Sequence, residues 1–123
     1  MPSIKSFFAK LYAARTYKKI HKWSASPLET QNRVFQSLIS QAAATSFGVD
    51  HDFTSINSHA DFVKRVPVRD YEALKPYVDK VVAGEADILW KGKPLYFAKT
   101  SGTTSGAKYI PITKESMPSH IEA

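Results

Sequence analysis

The segment Thr100-Ser-Gly-Thr-Thr-Ser-Gly-Ala-Lys108 restricts the fold of this chain more than any other. Ser and Thr hydroxyls compete for backbone hydrogen bonds, and glycine reaches left-handed conformations without penalty, so neither a helix interior nor a regular strand suits such a run. On one side stands Leu95-Tyr96-Phe97-Ala98, on the other Tyr109-Ile110-Pro111-Ile112. Both read as short strands, the first with alternating Leu95 and Phe97. Pro111 cannot donate to a ladder, which predicts an edge or a bulge. The sequence therefore predicts strand, loop and strand over residues 86–113, and includes Ile88-Leu89-Trp90 as a further strand before the turn Lys91-Gly92-Lys93-Pro94.

Residues 1–84 are helical in texture. Ile4, Phe7, Phe8, Leu11, Tyr12, Ile20 and Trp23 recur at three- and four-residue intervals, the spacing of one helix face. Ser26-Pro27-Leu28-Glu29 reads as the start of a second helix, with Ser26 as N-cap, Pro27 at the first helical position and Glu29 completing a capping box. Val34, Phe35, Leu38, Ile39 and Ala42 follow on one side, and Gly48 is the expected stop. Residues 48–58 read as a loop. Ser58 is placed to cap a short helix through Val63, Val66-Pro67-Val68 is expected to be extended, and Asp70 is placed to cap a third main helix toward Val82. Pro76 predicts a break or kink there, and Gly84 ends the helix. Thr113 opens a last helix, truncated from residue 114 at Ala123. The class expected is α+β, with residues 1–123 forming the N-terminal segment of one larger domain.

Composition excludes several functions. The 123 residues contain no cysteine, so a disulfide framework, a thiolate metal site and a cysteine nucleophile are all ruled out. His21, His51, His59 and His120 lack ligand spacing, so no metal site is assigned from them. Asp50 and Asp52 around His51 suggest a turn. Trp23, Trp90, Tyr71 and Tyr77 read as packing residues. The net charge of +6 is local: residues 1–28 hold Lys5, Lys10, Arg15, Lys18, Lys19 and Lys22 with no acid, and the remaining 11 basic residues are matched by 11 acids. A solvated helix face explains that stripe; a non-enzymatic module docking its basic helix on anionic lipid or nucleic acid is the alternative.

The chemistry implied by residues 100–108 is polyanion binding. Amides around Gly102 and Gly106 can converge on phosphate oxygens, Thr100, Ser101, Thr103, Thr104 and Ser105 supply hydroxyl donors, and Lys108 supplies a point charge. A Walker A loop does not fit, because Ala107 stands where its second glycine belongs and Tyr109 where its magnesium-binding hydroxyl belongs. The dinucleotide fingerprint does not fit either, since no G-x-G occurs.

Thr100, Ser101, Gly102, Thr103, Thr104 and Lys108 stand in register with the glycine-rich loop of the adenylate-forming superfamily, roughly T-S-G-[ST]-T-G-x-P-K. The departures are Ser105 in place of the second glycine, Gly106 one position late, no proline before Lys108, and Tyr109 in place of the following glycine. With Thr45-Ser-Phe-Gly48, Asp61-Phe62, Val66-Pro-Val-Arg-Asp-Tyr-Glu72, Pro76-Tyr-Val78, Gly84-Glu85 and Phe97 through Thr113, the chain resembles the Gretchen Hagen acyl-acid-amido synthetases, the auxin-responsive-promoter family.

That resemblance implies an ATP- and Mg2+-dependent ligase in which a carboxylate attacks the α-phosphate, giving an acyl-adenylate, and an amine or amino acid then takes the acyl group. It implies phosphate contacts from Thr100, Ser101, Gly102, Thr103, Thr104, Ser105 and Gly106, while Lys108 either faces the phosphates or pins the loop. No residue is singled out as catalytic. Expected partners are a small carboxylic acid and an amine, with no nucleic acid and no membrane, in the cytoplasm. Residues 1–123 are expected to be inactive alone and to self-associate through exposed strand edges.

Overall fold

A computed structural model describes residues 3–102 and 106–122. It is α+β: helices through residue 82, then an antiparallel pair of strands, then a short helix. The chain divides into two compact units, residues 1–36 and 37–123.

The first unit holds helix α1 (Ile4–Ser24) and the front of α2 (Pro27–Ala42). Ser3 caps α1, its hydroxyl accepting from the Ser6 amide at 3.3 Å. The helix expected from periodicity is present, yet it buries no residue. The apolar residues do not share one face. Ile4, Phe7, Phe8, Leu11 and Tyr12 cluster on one side, but at 3.6 residues per turn Ile20 lies roughly 160° from Ile4 around the axis. Arg15, Lys18, Lys19 and Lys22 continue the first stripe instead. Trp23, expected to pack, is 46% exposed.

The second unit contains the core: Ile39, Ala42, Phe53, Ile56, Val78, Val81 and Ile88, with Thr45 and His51 also buried. Helix α2 starts at Pro27 as expected but stops at Ala42, before Gly48. Thr45 causes the break. Its hydroxyl donates to the Ala42 carbonyl at 2.7 Å and accepts from the Gly48 amide at 3.0 Å, so it ends one helix and caps the next, α3 (Ser46–Asp50). Gly48 is therefore a packing glycine and not a stop, because a Cβ there would meet the carbonyls of Ala42 and Ala43.

Residues 48–58, expected as a loop, form part of the core. A 3-10 turn at Phe53–Ser55 follows the left-handed Asp52 (φ 51°) and buries Phe53 and Ile56. His51 stacks on Phe47 at 4.1 Å. Its Nδ1 lies 2.7 Å from the Phe47 carbonyl, which can only accept, so Nδ1 carries the proton and Nε2 accepts from the Arg69 guanidinium at 2.6 Å. Asp50 accepts from the Tyr77 hydroxyl at 2.7 Å, and Asp52 pairs with Arg65 at 3.7 Å.

Helix α4 (His59–Arg65) is capped by Ser58, and α5 (Tyr71–Val82) by Asp70, whose carboxylate accepts from the Ala73 amide at 2.9 Å. Val66 is extended ahead of Pro67. Helix α5 passes through Pro76 without the expected break. The proline removes one backbone bond; the Asp70 cap holds the turn before it, the buried Val78 and Val81 and the Tyr77–Asp50 bond hold the turns after it, and the Lys75–Asp79 pair at 2.7 Å spans it. Gly84 (φ 91°) ends the helical segment.

Ile88-Leu89-Trp90 is not a strand. Its backbone is used elsewhere: the Asp87 and Ile88 carbonyls accept from the Ser46 and Phe47 amides at 2.8 and 3.0 Å, satisfying the open N-terminus of α3. The strands are β1 (Tyr96–Lys99) and β2 (Tyr109–Ile112), paired Tyr96↔Ile112 through Lys99↔Tyr109. Thr113 opens a turn rather than the helix itself. Its hydroxyl accepts from the Ser116 amide at 3.2 Å, and α6 runs Met117–Glu122.

Candidate functional site

The hairpin presents residues 100–108 at its tip. Beyond the last strand pair, Lys99↔Tyr109, the Thr100 amide donates to the Lys108 carbonyl at 3.0 Å and the Lys108 amide donates to the Thr100 hydroxyl at 3.2 Å. These two bonds close the neck of the loop. Thr100 thus holds the neck, while Ser101 and Gly106 are exposed. Thr103, Thr104 and Ser105 lie outside the described residues.

Both loop glycines use conformations closed to most side chains: Gly102 at φ 38° and Gly106 at φ 80°. Gly102 has a second reason. A Cβ there would collide with the Gly106 carbonyl, so the two limbs of the loop approach backbone to backbone. The Gly106 carbonyl and the Ala107 nitrogen are the atoms that meet Gly102, so the approach sets how narrow the loop is.

Three aromatic rings and two lysines surround the neck. The Lys108 ammonium sits 5.4 Å from the centroid of the Tyr71 ring, and the Lys99 ammonium sits 5.6 Å from that of Tyr109. Phe97 meets Tyr109 edge-on at 6.1 Å. The Tyr71 hydroxyl accepts from the Tyr109 amide at 2.9 Å. Tyr71 is thus more than a packing residue of its helix, and 38 residues separate it from the amide it binds.

Alternation along an antiparallel ladder directs Tyr109 and Pro111 away from β1. The Tyr109 amide is taken by Tyr71 and Pro111 has none, so the outer edge of β2 offers no free donor. The outer edge of β2 is left with acceptors alone, while all four residues of β1 are exposed.

Among the described residues no three His, Asp or Glu side chains gather to hold a metal ion by themselves. Among the same residues no helix is long and apolar enough to cross a membrane.

The model of the GH3 family N-terminal domain matches residues 16–123. The chain belongs to the GH3 family. It is 32% identical over 98 residues to an indole-3-acetic acid-amido synthetase, GH3.15, of Arabidopsis thaliana, covering 76% of this chain and 16% of that protein. It is 30% identical over 108 residues to a probable indole-3-acetic acid-amido synthetase, GH3.7, of Oryza sativa subsp. japonica, covering 80% of this chain and 17% of the other. A jasmonoyl–L-amino acid synthetase, JAR4, of Nicotiana attenuata is 23% identical over 94 residues, 75% of this chain and 16% of the relative. No solved structure matches the chain significantly. The chain spans about a sixth of the length of these GH3 relatives.

Proposed function

We propose that this GH3 chain supplies the phosphate-binding loop of an ATP-dependent ligase that activates a carboxylic acid as its acyl-adenylate and joins it to an amine, most simply an amino acid. The observation that carries this reading is the hairpin tip: a loop closed by the Thr100–Lys108 bonds, turned on two left-handed glycines, with lysine cations at its neck. The names of the relatives support the ligase class.

In the first step a carboxylate oxygen forms a bond to the α-phosphorus, and the bond from that phosphorus to the oxygen bridging the β-phosphate breaks, releasing pyrophosphate. In the second the amine nitrogen forms a bond to the acyl carbon, the bond from that carbon to the phosphate oxygen breaks with its electron pair leaving on AMP, and the nitrogen gives up a proton to solvent. The obstacle is repulsion between two anions. Ser101 and the amides beside Gly102 and Gly106 would hold phosphate oxygens by hydrogen bonds, and Lys108 would offset charge on the departing pyrophosphate. Mg2+ carried in with ATP would supply further Lewis-acid charge to the polyphosphate held by Ser101 and Lys108.

Which acid and amine are joined is not set by residues 100–108, and we assign no turnover to the 123-residue chain by itself. The test is exchange of labelled pyrophosphate into ATP by the full-length protein across a panel of carboxylic acids. Acid-dependent exchange that falls at least tenfold when Ser101, Thr103 and Thr104 are changed to alanine supports the reading; exchange unaffected by that triple change rejects the loop assignment.

A second reading concerns α1 alone. Ile4, Phe7, Phe8 and Leu11 are exposed, they precede the matched family region, and basic residues extend their stripe. Such a helix suits an anionic lipid surface. Sedimentation with phosphatidylserine vesicles that weakens as salt is raised favours it, and partition equal to that on neutral vesicles rejects it.

A further inference from the structure

We infer that Tyr71 is the positioning residue of the loop, holding its exit limb in place through two separate parts of one side chain. This rests on the phosphate reading of residues 100–108.

Asp70 caps α5, so Tyr71 is the first residue of that helix and its backbone is fixed by the cap. The helix is held in turn by the buried Val78 and Val81 and by the Tyr77–Asp50 bond. From this base the Tyr71 hydroxyl accepts from the Tyr109 amide at 2.9 Å, and its ring lies under the Lys108 ammonium at 5.4 Å. Consecutive residues of the exit limb are thus gripped at the backbone and at the side chain. The Lys108 backbone then closes the neck with Thr100 on the entry limb. A continuous set of contacts runs from α5 to both limbs.

The two contacts do different work. The hydroxyl fixes where β2 begins, because it takes the one donor that β2 directs outward before Pro111. The ring fixes the lysine. An ammonium on an aromatic face is held near the neck by a weaker attraction than a phosphate oxygen would exert on it. Lys108 is therefore kept close to the loop and remains able to move onto an arriving polyphosphate. Pinning the loop and facing the phosphates become two states of one side chain.

The experiment uses the 15N-labelled chain, inorganic tripolyphosphate as probe, and the variants Tyr71→Phe, Tyr71→Leu and Lys108→Ala, with thermal melts to verify folding. Tyr71→Phe keeps the ring and removes the acceptor, so the Tyr109 amide should exchange with solvent about fivefold faster. Tyr71→Leu also removes the ring, and tripolyphosphate should bind roughly fivefold more weakly. Lys108→Ala should then cost much less affinity in the Leu variant than in the wild type, a coupling that general loss of stability would not produce. Unchanged Tyr109 exchange in Tyr71→Phe, or additive effects of Tyr71→Leu and Lys108→Ala, overturns the inference. If the wild type fails to bind tripolyphosphate while the Tyr109 amide behaves as expected, the phosphate reading is rejected and the anchoring of the loop by Tyr71 stands.

Discussion

Replacing Gly102 with alanine separates the geometry of the loop from the stability of the fold. Gly102 has φ 38°, where a residue bearing a Cβ is disfavoured by about 1–2 kcal/mol. The added methyl would also run into the Gly106 carbonyl, so one limb must move. The structure opposes that movement with the two neck bonds between Thr100 and Lys108, worth about 1 kcal/mol each. The strain is comparable to what holds the neck, so the neck should open while the core around Ile39, Phe53, Val78 and Val81 stays intact. Amide hydrogen exchange followed by NMR reads this directly. A change of about 2 kcal/mol corresponds to a roughly 30-fold faster exchange at the Thr100 amide, with the melting temperature little altered. Gly48→Ala is the contrasting variant. Its methyl meets the Ala42 and Ala43 carbonyls within the helical core, and overpacking of about 1–3 kcal/mol should lower the melting temperature by several degrees. Thr100 exchange unchanged in Gly102→Ala, or a fall in melting temperature matching that of Gly48→Ala, would refute the argument.

Other consequences concern the helical core and the sheet edge. The Asp50 carboxylate, and then burial, raise the pKa of the Tyr77 hydroxyl above its ordinary value. Its stabilising contribution is therefore complete below the unfolded tyrosine pKa and is lost as pH rises through the raised one; Tyr77→Phe should remove that alkaline loss, measured as the difference between denaturation curves at neutral and high pH. His51→Leu leaves the Arg69 guanidinium without its imidazole acceptor, and chemical denaturation should show a loss of about 2–3 kcal/mol. Pro111→Val restores an outward amide to β2, so self-association seen by sedimentation velocity should increase relative to wild type; an unchanged distribution would show that this edge is not where copies meet.

The parts of this structure visible in the sequence are those set by local chemistry. Ser58 and Asp70 each lie three residues before the amide they accept from, and Gly84 takes the left-handed angle that ends a helix. The hairpin was visible because two apolar runs bracket a run that can be neither helix nor strand. What escaped depended on distant partners. Residues 51–56 look polar enough for a loop until Arg69 and Tyr77 satisfy His51 and Asp50. Ile88 has the composition of a strand residue, yet its carbonyl is engaged by the N-terminus of α3. Spacing at three and four residues placed α1 correctly but could not say what, if anything, its apolar residues touch. At the loop, glycines and hydroxyls were legible, whereas the contribution of Tyr71 requires two segments 38 residues apart to meet.

The most direct test places the phosphates themselves. Mn2+ standing in for Mg2+ broadens the NMR signals of amides near it, so Mn2+–ATP added to the 15N-labelled chain, with Mn2+ alone as control, locates the bound nucleotide. The account predicts selective loss of the Ser101, Gly102, Gly106 and Lys108 amide signals with Mn2+–ATP. Sharp signals at those four residues, while amides of α1 beside Lys18, Lys19 and Lys22 broaden, would contradict it.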